Sequence, residues 1–590
     1  MTKDVYKHLV LNFKKIGLEI NPDKTLIFGS PTSVQILKNE RSILSQIPNT
    51  NMSSELISVL GVPLGIDSQV KLELKKSITN FSRIIPLITQ LNAKLAFFLL
   101  KFCINTRITY ILRTSGPWVS KESVRLFDSY IDKAIQNLSS SDVIRIIKNL
   151  EDLDSVPDLS DISKIVRSLP IREGGAGTRR GFDIHEVAYT ASFLKSFQFI
   201  CCEPKMKHFV DSLNSIATPF KNNNLVALIQ PLDLKYKSTE VNNMETLSLY
   251  LHDKSSKTPN QKTLTEPIDK RLVTTLKESL VEKELLTSLA WFVSNKPTET
   301  AYWLLYPFQD QSLIELTPSE FVELLRLRLL MPIDTFDANH CRQCACDKVL
   351  FPGKDDHHFM VCQAVGGPCS DRTKRHNEIR SAWSRQVRCF HPNAVVAEEQ
   401  FIEDPLVEGG TRRKSDVALF GAGDANSIHY DISVSCPATL SACQLLKTHE
   451  KPFAAAIARE QNKSTAYKNS FGEVFVANQL VPIVLEAPGT FGPSLQSLMK
   501  KFKKMAKQAA TNKEQQRLGY QIKWFYKLSV IICCKYTAKL ASFHRAHRRP
   551  LVAIGNQVFA HEPFPTDPFK DTTYAPIFQL PTPTPINAQG

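Results

Sequence analysis

Between positions 341 and 362 the sequence sets four soft ligands in two close pairs, Cys341-x2-Cys344 and, twelve residues on, His357-x4-Cys362. Pairs this close converge on one centre, the arrangement in which a tetrahedral Zn2+ staples a small loop. Cys346, His358 and Cys369 lie near enough to compete, with His358 the substitute for His357. Free thiols otherwise pack as small apolar groups, but the loop holding these is polar, with Gly353-Lys354-Asp355-Asp356 between the pairs. Protein fills all four expected positions, so the Zn2+ is read as structural.

The rest of the chain sets wider bounds. Its 590 residues exceed what one core holds, since single cores stop growing near ~250–300 residues. With 43% hydrophobic and 22% charged residues, an ordinary globular mixture, neither wholesale disorder nor a fibrous repeat is expected. Lys and Arg outnumber Asp and Glu by 73 to 58, a net +15 that favours polyanions and makes nucleic acid the expected partner. The thirteen Cys are scattered and Met1–Lys15 contains no signal-peptide run, so a nuclear or cytoplasmic protein is expected, not a secreted one. Lys101 and Arg107 interrupt the apolar window Leu95–Leu112, and Lys535 and Lys539 interrupt Leu528–Ala541, so no membrane partner is expected.

Along the chain, Val5, Leu9, Leu11, Phe13 and Ile16 mark an amphipathic helix, followed by a turn at Asn21-Pro22-Asp23 and a short strand Thr25–Gly29. Apolar residues recur at helical spacing from Val70 to Leu150 with Lys and Arg between them, a helical bundle with a basic exterior. Gly174-Gly175-Ala176-Gly177 has no GKS or GKT after it and reads as a structural turn. Ile184 to Leu330 is mostly helical around a polar linker near 220–265. The chain past Asn512 is helical and basic, and from Pro563 it is a Pro- and Thr-rich tail expected to be disordered.

Ser415–Phe420, a turn Gly421–Asn426 and Ile428–Val434 read as a β-hairpin. A hairpin symmetric about that turn opposes Asp416 and Asp431, with Cβ atoms ~4.5–5.5 Å apart. Like charges so placed call for a cation, and Mg2+ takes one or two carboxylates plus water and phosphate oxygens. Asp431 shares a strand face with His429 and Ser433, opposite Ile428, Tyr430, Ile432 and Val434. The helix opened by Arg375-His376-Asn377-Glu378 offers Glu378 as a third carboxylate and Arg375 and His376 as nucleic-acid or positioning groups. Arg459, Lys463 and Tyr467 recur every four residues on one helical face, where a lysine can stabilise charge on a scissile phosphate; Lys447 competes for that role.

The order of Cys-Cys-His-Cys cluster, Arg-His-Asn helix, Arg413-x2-Asp416, Asp431 and Lys463-x3-Tyr467 resembles the restriction-like endonuclease domain of non-LTR retrotransposons, in the PD-(D/E)xK superfamily. That resemblance covers roughly 335–490. It implies Asp416 and Asp431 as catalytic Mg2+ ligands, Lys463 as the displaced catalytic lysine with Tyr467 beside it, and a nicked DNA target as product. Ser415 departs from the Pro usual in that family, and Ser433 from the Lys of the superfamily's simplest pattern. Upstream, Gly17–Thr25, including Lys24 as a nucleic-acid contact, resembles the fourth palm motif of non-LTR reverse transcriptases, and Leu60-Gly61-Val62-Pro63-Leu64-Gly65 resembles their primer grip. The Tyr-x-Asp-Asp that this family uses for polymerisation is absent from the sequence, so no polymerase activity is expected of this chain.

The expected fold is therefore multidomain: a truncated reverse-transcriptase palm (1–68), a helical thumb (69–155) and a mostly helical connector (156–334), then a zinc-stapled α/β restriction-endonuclease-like region. The last comprises the zinc motif (335–370) and the endonuclease domain (371–495), followed by a basic helical region (496–562) and the tail (563–590). The expected partners are a DNA target and the element's own RNA, with no small-molecule cofactor. Two other readings stay open: a catalytically inactive zinc- and nucleic-acid-binding remnant, and a structural zinc protein that docks another protein.

Neutralising Lys500, Lys501, Lys503 and Lys504 should flatten the salt dependence of nucleic-acid binding, the slope falling by about one for each phosphate left without a lysine. Affinities measured across a salt series check this.

Overall fold

The computed structural model describes residues 2–17, 21, 27–39, 52–140, 147–202, 260–305, 315–332, 342–351, 355–362, 364, 370–402, 413–421, 427–547, 549–554 and 557–560. Lys24, Cys341, Cys369, most of the 220–265 linker and the 563–590 tail lie outside them.

The chain is mostly helical with small sheets. A helix Thr2–Lys15 comes first, then Ile27–Phe28 paired in parallel with Met52–Ser53. The Leu-Gly-Val-Pro-Leu-Gly segment is a hairpin, Leu56–Val59 against Val62–Gly65. Its turn residues Leu60 and Gly61 take φ of 51° and 79°, conformations a two-residue hairpin turn requires. The bundle follows, led by α1 (Asp67–Ser82), α2 (Pro117–Ser139) and α3 (Gly181–Cys202). Among the described residues one helical stretch, Ala93–Thr114, is long and apolar enough to cross a membrane. It is broken by a π-turn at Leu100–Ile104, and its Phe97, Leu100, Ile104, Ile108 and Leu112 all lie in the protein core.

The connector contributes α4 (Gln261–Glu282), α5 (Leu286–Ser294) and α6 (Pro318–Arg328). The glycine-rich turn is structural, as expected. A Cβ on Gly175 would meet the Leu169 carbonyl oxygen at 2.2 Å, and the buried Arg328 of α6 donates to Gly175 O at 2.9 Å.

A short hairpin, β1 (Arg342–Gln343) and β2 (Val349–Leu350), carries the cysteines. Beyond it come α7 (Asp371–Phe390), β3 (Val395–Ile402), β4 (Arg413–Phe420), β5 (Ser427–Ser435), α8 (Ala454–Asn478) and β6 (Leu480–Glu486). The four strands form one mixed sheet in the order β6-β5-β4-β3, with β5 and β6 parallel across the α8 crossover. Tyr430 of β5 packs edge-on to Trp383 of α7, while His429 on the other side of β5 lies against Phe475 of α8. Helices thus cover both faces of the sheet.

Two helices complete the core, α9 (Pro493–Gln508) and α10 (Asn512–Ala546), and β7 (Arg549–Ile554) adds to β1 and pairs with β8 (Gln557–Ala560). Composition makes 496–562 a basic helical region, and helices do fill most of it. Yet α10 is buried nearly all round from Leu528 to Ala541, the signature of an interior helix. Its lysines and histidines are confined to the ends and a narrow stripe, so composition concealed a core element. Trp383 is fully buried at the junction, in contact with Tyr430, Phe502 of α9 and Phe525 of α10.

Trp383→Ala should cost ~3–5 kcal/mol by leaving a cavity at this junction, seen as a large drop in the urea midpoint of the full chain.

Candidate metal centre and carboxylate site

The β1–β2 turn brings Cys344 and Cys346 together, closed by Cys344 N–H donating to Lys348 O at 2.9 Å. A 3-10 turn at His358–Met360, with Cys362 N–H donating to His358 O at 2.9 Å, aligns His358 and Cys362. Cys344 Sγ lies 3.3 Å from Cys362 Sγ, and Cys346 Sγ 3.2 Å from His358 Nε2. All four ligand atoms fall within 4.8 Å of one another. A tetrahedral Zn2+ with bonds of ~2.0–2.3 Å needs ligand edges of roughly 3–4 Å, so this three-cysteine, one-histidine cluster can hold a metal such as zinc.

The cluster differs from the expected set. Its histidine is His358, because the 3-10 turn directs His357 to the other side, where the buried imidazole stacks on Trp291 of α5 at 4.8 Å. Cys346 joins it, while Cys341 lies outside the described residues. Burial pushes the Cys344 thiol up to about 12. A divalent cation would offset that penalty by stabilising the thiolates.

One residue of this centre escaped sequence reasoning. His544, near the end of α10, places Nε2 2.9 Å from Cys344 Sγ. The only sequence signal was a histidine ending a long apolar helix, and nothing local connects it to a cysteine two hundred residues earlier.

The second site lies on the sheet. The β4–β5 ladder ends at the pair Val417–Tyr430, and the residues one step beyond it on the two strands, Asp416 and Asp431, lie close enough for their carboxylates to act on each other. Asp416 Oδ1 meets His376 Nε2 of α7 at 2.9 Å, and Oδ2 accepts from Ile432 N–H at 2.6 Å. Asp431 is ion-paired with Lys463, which reaches across from α8. Tyr467, one helical turn on, is buried beside both acids and donates to Lys414 O at 3.4 Å.

Burial disfavours both carboxylates, yet the pair splits. For Asp416, the His376 imidazole, the Ile432 N–H and Lys463 outweigh burial and hold the carboxyl below its ordinary range. For Asp431, burial prevails over Lys463 and, with help from the neighbouring Asp416 charge, raises the carboxyl. Two opposed acids, one of them displaced upward partly by the other's charge, form a donor set that a divalent cation suits.

Other expected residues fall elsewhere. Glu378 hydrogen-bonds Tyr536 of α10 and does not join the acids. It faces α10 because α7 turns its opposite side, with His376, toward the sheet. Arg375 is 5% exposed and packed near Cys436 and Cys533, so burial rules it out as a surface contact for nucleic acid. Lys447 ends the short helix Leu440–Leu446 in a left-handed conformation, and Lys463, not Lys447, pairs with Asp431. Lys500, Lys501, Lys503 and Lys504 lie exposed on α9. Ser415 bridges its neighbours, donating to Gln400 O at 3.2 Å and meeting His429 Nδ1 at 3.1 Å. Glu399, which the β3–β4 ladder skips between the pairs Glu398–Val417 and Gln400–Ser415, has a φ of 56°. Such a strained residue tends to mark a functional site; its carboxylate is held by Arg380 and Lys414.

No protein-family model matches this chain, and no curated protein matches it.

Since the Asp416 carboxyl titrates lower folded than unfolded, its stabilisation is complete above the unfolded value of ~3.9 and is lost as pH falls through the folded value. Asp416→Ala should therefore destabilise the chain by ~1–3 kcal/mol at neutral pH. In denaturant melts across a pH series, the gap to wild type should close as pH falls below about 4.

Proposed function

We propose that this chain is a Mg2+-dependent DNA-nicking enzyme of the restriction-like kind found in non-LTR retrotransposons, with a structural Zn2+ in the cysteine cluster. The observation that carries the reading is the opposition of Asp416 and Asp431, with Lys463 brought to Asp431 from a separate helix. Asp416 and Asp431 would hold the Mg2+, which when bound neutralises charge on the phosphate and aids formation of the nucleophile. His376 and the Ile432 N–H fix the Asp416 carboxylate in one orientation. Lys463, which is ion-paired with Asp431, would be the cation beside the scissile phosphate that stabilises the charge developing there. Tyr467, buried one helical turn beyond Lys463, lies beside both acids. The lysines of α9 give sequence-independent phosphate contacts to DNA or to the element's RNA.

The reading of an inactive nucleic-acid-binding remnant has one observation in its favour: each acid already has protein partners, His376 and Ile432 for Asp416, Lys463 for Asp431.

Incubating the purified full chain with supercoiled plasmid and Mg2+ separates the two. Nicking is expected from wild type, to fall by at least about 100-fold in Asp416→Ala and Asp431→Ala and by about 100-fold in Lys463→Ala. A folded, zinc-loaded wild type that binds plasmid without nicking it would establish the remnant instead.

A further inference from the structure

We infer that His544 is a positioning residue of the metal centre, and that through it the centre clasps the C-terminal end of α10 to the cysteine hairpin. The inference rests on reading the cysteine cluster as a metal site. Cys344, Cys346, His358 and Cys362 already provide the four atoms a tetrahedral ion needs. His544 Nε2, 2.9 Å from Cys344 Sγ, is then placed to donate an N–H to that sulfur rather than to add a fifth ligand. A thiolate bound to a dication keeps lone-pair density, and a donor aimed at it fixes its orientation, as outer partners of metal ligands generally do.

The surroundings point the same way. The His544 side chain is 3% exposed, its ring lies 5.2 Å from that of His358, and Phe359 packs on its other side. Next to it, Arg545 forms an ion pair with the buried Glu323 of α6, which pins the same end of α10 to the connector. On the far side of the cluster, Arg372 of α7 donates to Cys362 O at 2.8 Å and Phe359 O at 3.2 Å. The candidate ligands are thus tied to two helices, the hairpin's Cys344 to α10 through His544 and Cys362 of the following turn to α7 through Arg372. A hairpin of two-residue strands has little cohesion of its own. On this inference the ion orders the hairpin turn and secures the C-terminal end of α10 on it, while the middle of α10 is held by its own burial.

The test uses the full chain, with Zn2+ as the probe. Zinc affinity is measured by competition with a chromophoric chelator, and hydrogen exchange is followed for amides 536–546. His544→Ala should bind Zn2+ about 10–100-fold more weakly and exchange faster in 536–546; wild type stripped of zinc should show the same faster exchange. His544→Gln, which keeps an N–H donor and most of the volume, should recover part of both. If His544→Ala matches wild type in zinc affinity and in exchange, the role of His544 is overturned while the metal centre stands. Equally slow exchange with and without zinc would likewise overturn the clasp. A wild type that binds no zinc overturns the centre itself, and this inference with it.

Discussion

Burial of the middle of α10 is the constraint on which the rest of this structure depends. From Leu528 to Ala541 almost every side chain is inside, and the helix packs on α6, α7 and α9 at once. Such a helix cannot stay folded in water, because its apolar circumference has no solvent face; it is stable only when connector and sheet close around it. Trp383 makes the closure specific. Its ring is shared by the sheet through Tyr430, by α9 through Phe502 and by α10 through Phe525.

That packing fixes α7, and α7 serves both candidate sites. Arg372 and His376 are four residues apart and so share a face of the helix. The first holds the backbone of the loop that carries the candidate ligand Cys362, and the second holds Asp416. Disturbing the seat of α7 would therefore disturb both sites together. The same arrangement explains Glu378, which lies away from the acids and meets Tyr536 of α10 because that side of α7 belongs to the helix interface. The remaining precision comes from strand register. A slip of one residue between β4 and β5 would turn one of the two aspartates to the opposite face of the sheet, so the site survives only while the buried Val417 and Tyr430 keep their pairing.

Much of this was legible in the sequence where the relevant physics is local. Hairpin symmetry put Asp416 and Asp431 at equal distances from the turn, and the four-residue recurrence put Arg459, Lys463 and Tyr467 on one face of α8, of which Lys463 reaches Asp431 while Arg459 lies exposed. Cysteine spacing located the candidate metal cluster and two of its four residues, Cys344 and Cys362, with Cys346 and His358 named only as competitors. It could not choose between His357 and His358, because the choice is made by a 3-10 turn and by Trp291, which lies more than sixty residues upstream. Arg375 looked like a surface cation because only tertiary packing by α10 buries it. The role of His544 was illegible for the same reason, and the apolar window Leu528–Ala541 did not say which elements would bury it, since both are defined by partners far away in the chain. Ser415, a departure from the expected motif, has a local account as the hydroxyl joining β3 to His429.

The central claim is that the opposed aspartates form a divalent-cation site. Its most direct test is Mn2+ binding by the zinc-loaded full chain, followed by electron paramagnetic resonance, beside the Asp416→Asn/Asp431→Asn double variant. The account predicts a bound Mn2+ signal in wild type that Mg2+ displaces and that the double variant lacks. An undiminished signal in the double variant, or no bound Mn2+ in a folded wild type, would contradict it.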